Sequence, residues 1–352
     1  MTEFRKFAIL CWIVIGTVTV SGQDIHFSQF YASPLTLNPA LTGVMNCNNR
    51  FVANYRNQWA SILNSDAYNT YSVSYDRKIP VGRADYFGLG GALWSDVAGS
   101  LNFGTMKGLL SLSFSKKMFG DRKSSHYLVM GANAGIAQRR IDFHLARWGD
   151  QHNGDGGFDP NTTSQEDING TFDRDNFAFA DVGVGLLWFS VFDENNNVYI
   201  GGAYDHLNQP NQSFNSNNTI TLYSKYTVHA GGEFSFAKNM SLLPGAVMLK
   251  QGPSFEINAG TSLRFLFGDV GNQQAVQFGV WGRVANNLSE SLLMDAVILS
   301  TRFDYNEFSL GFSYDINTSD LKQASNSNGS FEFSLIYKIC GAENRGVYCP
   351  EF

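Results

Sequence analysis

The chain has 352 residues and a formal net charge of −6, with no basic patch, which argues against a nucleic-acid partner. Only 16% of residues are charged and 14% are aromatic, against roughly 25% charged in an ordinary soluble domain. With 35 glycines and 8 prolines, this composition suits long strands that have one wet face and one greasy face.

Arg5 and Lys6 precede an apolar run from Phe7 to Val20, and the small residues Ser21 and Gly22 follow it. This is the charged, apolar and cleavage-site order of a secretory signal peptide. Residues 1–22 are therefore expected to be removed and the mature chain to begin near Gln23. The apolar run is short of the ~20 residues that a spanning helix needs. Cys11 sits inside it and reads as part of the apolar region rather than a lipid anchor.

The next stretch, "FSQFYASPLTLNPALTG" at 27–43, reads as neither helix nor strand. Pro34 and Pro39 prevent one continuous helix. Phe27, Phe30, Tyr31, Leu35 and Leu37 are too apolar for a solvated tail. What the stretch packs against depends on the rest of the chain.

From residue 49 onward the dominant signal is alternation. "TYSVSYD" sets Tyr71, Val73 and Tyr75 against Ser72, Ser74 and Asp76. "SFEFSLIYKI" sets Phe331, Phe333, Leu335, Tyr337 and Ile339 against Ser330, Glu332, Ser334, Ile336 and Lys338. Period two over ~10 residues means strands with a polar and an apolar face. About fourteen strands are expected, with twelve or sixteen as alternatives, near 49–57, 70–79, 85–95, 104–117, 126–139, 177–191, 197–206, 222–235, 240–250, 253–266, 274–285, 291–302, 305–316 and 329–339. Backbone groups in lipid must all be paired, so strands can span a bilayer only as a closed barrel. Every candidate reaches the ~9–11 residues that a spanning strand needs.

The expected fold is therefore all-β, a transmembrane antiparallel barrel over 49–340 with a plug-like segment at 23–48 and a tail at 341–352. A soluble sandwich or propeller would also alternate. However, these strands are longer than the ~5–6 residues of globular sheets, and no blade-length repeat is present. Aromatics also gather near strand ends: Tyr55 and Trp59, Tyr71 and Tyr75, Phe308 and Tyr314. The polar inserts at 139–176 and 205–219 are expected outside the cell, since such barrels have short periplasmic turns and long external loops.

On this fold, Glu256, Arg264, Arg283, Glu307, Asp315 and Glu332 are expected to face the lumen. The stretch at 27–43 should fold back as a plug in the lumen or periplasmic mouth, or dock on a partner there. The residues assigned to that role are Phe27, Gln29, Phe30, Tyr31, Pro34, Leu35, Asn38 and Pro39. Asn38 before Pro39 favours an extended turn, so "NPALTG" should reverse the chain into the first strand.

Other motifs carry little. "GLGGAL" at 88–93 lacks phosphate-loop spacing and reads as barrel wall. His144 and His152 stand among Asp150, Asp155 and Asp159 in a polar insert, which reads as a solvated loop rather than a cation site. Asp181, Asp205, His206 and His229 could form a catalytic set on the wall, but scattered polar residues are expected in any lumen. No catalytic residue, metal or cofactor is assigned. Cys340 and Cys349 are close enough in sequence to bridge, and Cys47 competes for either.

"FSQFYASPLTLNPALTG" followed by "RFVANYRNQW" resembles the amino terminus of the PorP/SprF family of type IX secretion system membrane proteins. The resemblance continues through "YNTYSVSYD" (68–76), "QGPSFEINAGTSLRF" (251–265), "GFSYDI" (311–316), "SFEFSLIYKI" and the terminal "CPEF". In that last motif Glu351 stands where the family often has a basic residue. The resemblance implies a non-enzymatic barrel of the outer membrane, in contact with its lipid. Such a barrel is needed for export or surface attachment of a type IX cargo such as a large adhesin, in some bacteria one used for gliding. Periplasmic secretion-ring or peptidoglycan-associated proteins are further partners implied. The barrel pattern alone would equally allow a general porin or small-solute transporter.

Overall fold

A computed structural model describes residues 24–120, 124–152, 157–159, 162, 164, 173–193, 196–268, 274–286, 291–320, 322–341 and 349–350. The expected signal peptide and most of the 341–352 tail lie outside them. Among the described residues no helix is long and apolar enough to cross a membrane.

Fourteen strands form one closed antiparallel barrel. They are β1 (Asn49–Gln58), β2 (Tyr68–Val81), β3 (Asp85–Ala98), β4 (Phe103–Phe119), β5 (Ser125–Arg140), β6 (Asn176–Asp193) and β7 (Asn196–Asp205). The second half comprises β8 (Lys225–Ala237), β9 (Met240–Gln251), β10 (Ser254–Phe267), β11 (Gln274–Asn286), β12 (Leu292–Tyr305), β13 (Phe308–Asn317) and β14 (Asn328–Ile339). All fourteen expected segments are strands, with ends displaced by a few residues. Each strand pairs with its neighbours in sequence, and β1 pairs with β14 from Asn49↔Ile339 to Gln58↔Ser330. A disulfide between Cys47 and Cys340 lies just beyond this seam. Cys349 is a free, buried thiol.

The wall is inside-out relative to a soluble protein. Leu310 is 56% exposed, whereas Ser309 and Ser313 beside it are 5% and 0% exposed. Phe308, Phe312, Phe333 and Leu335 share the outer face, while Glu332 and Ser334 are buried within. Outer aromatics form rows. Phe51 meets Tyr75 at 4.6 Å and Tyr337 at 6.4 Å, and Phe308 continues the row at 4.5 Å from Tyr337. Nearer the other end, Tyr55 lies 4.9 Å from Tyr71 and 5.9 Å from Phe331. This is the apolar band and aromatic girdling of an outer-membrane barrel.

The two ends differ. The end where β1 starts and β14 finishes carries the connections 82–84, 120–124, 194–195, 238–239, 268–273 and 306–307. The opposite end carries 59–67, 99–102, 141–175, 206–224, 252–253, 287–291 and 318–327. Short turns mark the periplasmic side of such barrels and long loops the outer side, so the seam and its disulfide face the periplasm. Both long polar inserts fall on the outer end.

One inner-face expectation needs correction. Glu307 belongs by parity to the inner row, but it occupies the Asn306–Glu307 turn and is exposed. Asn306 adopts φ 51° there, which ends β12 before the alternation reaches Glu307.

The lipid-facing assignment predicts asymmetric tolerance at one position. Leu310→Arg should destabilise the barrel by about 2–4 kcal/mol, whereas Leu310→Phe should be near neutral. The fraction that refolds to a fast-migrating, unboiled gel band measures both.

Candidate functional site: the lumen and its amino-terminal segment

Residues 24–45 are short turns of helix joined by extended links: Phe30–Ala32, Pro34–Leu37 and Pro39–Leu41. The prolines begin two of these turns, where a missing N–H costs nothing. The segment's partners are inward-facing residues on strands all around the ring, so it lies within the barrel.

At the loop end, the Asp24 amide donates to Gln251 Oε1 at 2.8 Å. The Asp24 carboxylate lies 2.9 Å from His206 Nε2, and Asp181 lies 2.9 Å from His206 Nδ1. Lys107 completes the group by donating to Asp181. Burial opposes charge on His206, but Asp24 foremost, with Asp181, holds it protonated up to about 9. Burial likewise opposes ionisation of Asp24, yet His206 keeps its carboxyl below the ordinary range. His26 lies 3.4 Å from Glu256.

One layer deeper, Ser28 is the hub. The amides of Ser28 and Gln29 donate to the two oxygens of Glu332 at 2.6 and 2.9 Å. Ser28 Oγ donates to Asp315 at 2.8 Å, and Arg283 reaches both Ser28 Oγ and Asp315. Arg56 donates to Glu332 at 2.9 Å, and Asn258 donates to the Ser28 carbonyl. The Gln29 side chain donates to Ser313 Oγ and accepts from Ser334 Oγ. Below this layer, Phe30 and Tyr31 pack on Trp281 with centroids 5.6 and 5.4 Å away.

Asn38 is fully buried. Its amide nitrogen lies 3.1 Å from the Leu186 carbonyl, 3.2 Å from that of Gly202 and 3.0 Å from His229 Nε2. Its Oδ1 accepts from the Ala40 amide, which caps the Pro39–Leu41 turn. Thr42 meets Ser111 Oγ at 2.6 Å and accepts from Ser113. Gly43 donates to Asp76, which Arg50 grips through two nitrogens at 2.8 and 3.0 Å. Arg50 also donates to the Leu41 and Val44 carbonyls. The inner wall leaves room for this path. A Cβ on Gly131 would strike the Pro39 backbone, and one on Gly88 the Thr42 backbone. At the periplasmic end Leu41 and Val44 join Tyr86, Tyr127, Phe189 and Cys349 in an apolar cluster.

Of the amino-terminal residues singled out by sequence, Phe27, Gln29, Phe30, Pro34, Leu35, Asn38 and Pro39 are buried, and Tyr31 is partly so. Reversal into β1 is shared between the turn at Thr42–Gly43 and the bends at 45–48. Glu256, Arg264, Arg283, Asp315 and Glu332 all meet inward partners; Arg264 pairs with Glu233 at 3.6 Å and Asp304 at 3.3 Å. Asp181 and His206 are brought together. His229 instead bonds Asn38, and both His206 nitrogens are held by carboxylates, which makes a clamp rather than a catalytic set. Sequence reading did not single out Asp24, Ser28, Arg50 or Arg56 as site residues. The only available signal for Ser28 was its place inside the F-S-Q motif.

A closed fourteen-strand barrel with an apolar outer band and a polar, charged lumen defines a membrane protein of the outer-membrane β-barrel class. Its sequence matches the family described as "Type IX secretion system membrane protein PorP/SprF" over residues 19–337. The chain belongs to that family, and its place is the outer membrane. No curated protein matches it. Among solved structures it resembles the "CymD monoaromatic hydrocarbon channel", with 12% identity, TM-score 0.47, and coverage of 89% of this chain and 94% of that one. It also resembles the Ralstonia pickettii toluene transporter TbuX, with 10% identity, TM-score 0.41 and coverage of 88% and 94%. A third resemblance is to CdiB from Acinetobacter baumannii, with 8% identity, TM-score 0.45 and coverage of 82% and 60%.

Two predictions follow from the charged layers. Removing one partner of a buried ion pair costs about 3–5 kcal/mol, so Arg56→Met should lower the urea midpoint of the fast-migrating band far more than an exposed Arg→Met change. The second concerns pH. Folded His206 titrates near 9, above its unfolded value of about 6.5. The clamp's contribution is therefore complete below about 6.5 and lost as pH rises through about 9, amounting to at most about 3 kcal/mol. The thermal midpoint should fall between pH 6 and pH 9.5 (roughly the span of that titration), and His206→Gln should remove most of this fall.

Proposed function

We propose that this protein is a non-enzymatic barrel dedicated to export or surface attachment of a particular type IX cargo, such as a large adhesin of the kind used in gliding. Residues 24–45 act as its plug. The observation that carries this reading is the bonding of residues 24–45 to the inner wall: Ser28, Asn38 and Gly43 each bond inner-wall residues of different strands. A general porin needs an open water path, whereas here charged inner-wall side chains are spent on the chain's own backbone. Membership of the secretion family supports the same reading. Phe27, Gln29, Phe30, Tyr31, Pro34, Leu35, Asn38 and Pro39 serve as plug residues, which leaves the loops and the periplasmic end to meet cargo and secretion machinery. The domain division follows: a removed leader at 1–22, a plug segment at 23–48, the barrel at 49–340 and a tail at 341–352.

The test pairs electrophysiology with display. Purified full-length protein in a planar bilayer should show no steady conductance, and a variant lacking residues 24–36 should open a channel while keeping its fast-migrating gel band. In cells that variant should lose surface display of the cargo. Steady open-channel conductance of the intact protein, with normal cargo display in a deletion strain, would restore the porin reading.

A further inference from the structure

The path of residues 24–45 has a direction, and it runs from the outside inward. Asp24 bonds Gln251 at the last residue of β9 and His206 just beyond β7, both at the loop end. His26 meets Glu256 near the start of β10. Ser28 and Gln29 then engage Glu332 and Ser313, and Phe30 reaches Trp281. Asn38 lies at the level of Leu186 and Gly202 midway along β6 and β7. Gly43 bonds Asp76 in the periplasmic half of β2, and Lys78 caps the Met45 carbonyl close to the Cys47–Cys340 bridge. The order of contacts follows the order of residues, and the segment traverses the lumen once from end to end.

We infer that the mature amino terminus is presented at the extracellular mouth of the barrel, threaded through the lumen from the periplasmic seam. A segment tethered at Cys47 could have ended anywhere in the lumen. Here its far end is clamped at the loop end by Asp24 between His206 and Gln251, with Lys225 lining the same recess. Asp24 therefore sits at the start of the 206–224 loop, at the end of the barrel that also carries the 141–175 connection. With the leader removed near Gln23, a free amino end lies on the cell surface, where it can meet an external partner. This deepens the plug reading above by assigning the plug a direction, and it rests on that reading. The same end-to-end path places the periplasmic face at Val44–Asn46 and Cys349, whose amide donates to the Asn46 side chain at 2.6 Å.

The test is accessibility in intact cells. One short epitope is placed between Gln23 and Asp24, in the 206–224 loop, or in the 82–84 turn, each in a separate strain. Antibody should bind the first two on intact cells as strongly as after permeabilisation, and the third only after permeabilisation. If the epitope at Asp24 behaves like that in the 82–84 turn while the loop epitope is bound on intact cells, the inference is overturned. Should the insertion prevent folding, judged by loss of the fast-migrating band, a single cysteine inserted after Gln23 replaces it. That thiol should take a membrane-impermeant maleimide on intact cells as fully as Asn217→Cys in the outer loop. Labelling only after disruption, as expected of Arg83→Cys in the periplasmic turn, would equally overturn it. The conductance of the intact protein is read separately, so failure of the plug and failure of its direction give different results.

Discussion

In hydrocarbon an unpaired amide or carbonyl has no water to turn to, and one unclosed sheet edge would leave a whole row of them. The pairing of β1 with β14, from Asn49↔Ile339 to Gln58↔Ser330, removes that edge. Everything else in the molecule depends on this closure. It fixes which residues face lipid, brings both ends of the sheet to one side, and encloses a lumen that must then be filled or left wet. The Cys47–Cys340 bridge lies immediately outside the same seam and ties its two strands covalently. By closing a very long loop, it constrains the unfolded chain where barrel closure is slowest to be found.

Closure turns the polar faces of all strands toward one another, which crowds charge into a space of low dielectric. Isolated ions there would be prohibitively costly, and buried pairs hold only when their remaining hydrogen-bonding capacity is met. The amino-terminal segment meets it with backbone. Glu332 receives two consecutive amides, Asp76 receives one, and Arg50 is satisfied by two carbonyls as well as by its carboxylate. A backbone serves this purpose because it carries a donor and an acceptor at nearly every residue. The segment's backbone therefore gives these buried side chains the hydrogen-bonding partners that water would otherwise provide.

The two halves of the lumen differ in how they hold the segment. Toward the loops it is held by directed bonds to Arg56, Arg283, Asp315, Glu332, His206 and Gln251. Toward the periplasm Leu41 and Val44 sink into Tyr86, Tyr127 and Phe189, with Cys349 from the tail packed against them. Hydrogen bonds fix register and direction, whereas apolar contact fixes only proximity. Directed bonds run the length of the segment, down to Gly43 on Asp76 and Met45 on Lys78, and set its path, while the apolar contacts of Leu41 and Val44 add packing at the periplasmic end.

Alternation made the barrel legible without coordinates. Period two is a local property, and the outer row Phe308, Leu310 and Phe312 against Ser309 and Ser313 can be read from adjacent letters. The apolar, proline-broken stretch at 27–43 likewise announced itself as something to be buried. Local pattern could not say where a strand yields to its turn, which is why Glu307 was read as inner wall although Asn306 had already turned the chain. It could not pair Cys47 with Cys340 rather than Cys349, because that choice depends on β14 returning beside β1. Nor could it show that Ser28 stands at the meeting point of five strands, or that Asp24 reaches His206 across the far mouth. Those partners are separated by most of the chain and come together only through closure of the ring. Sequence by itself determined which residues face lipid, because each strand obeys its own two-residue rule; only the tertiary structure decided which inner-wall residues meet the amino-terminal segment and in what order.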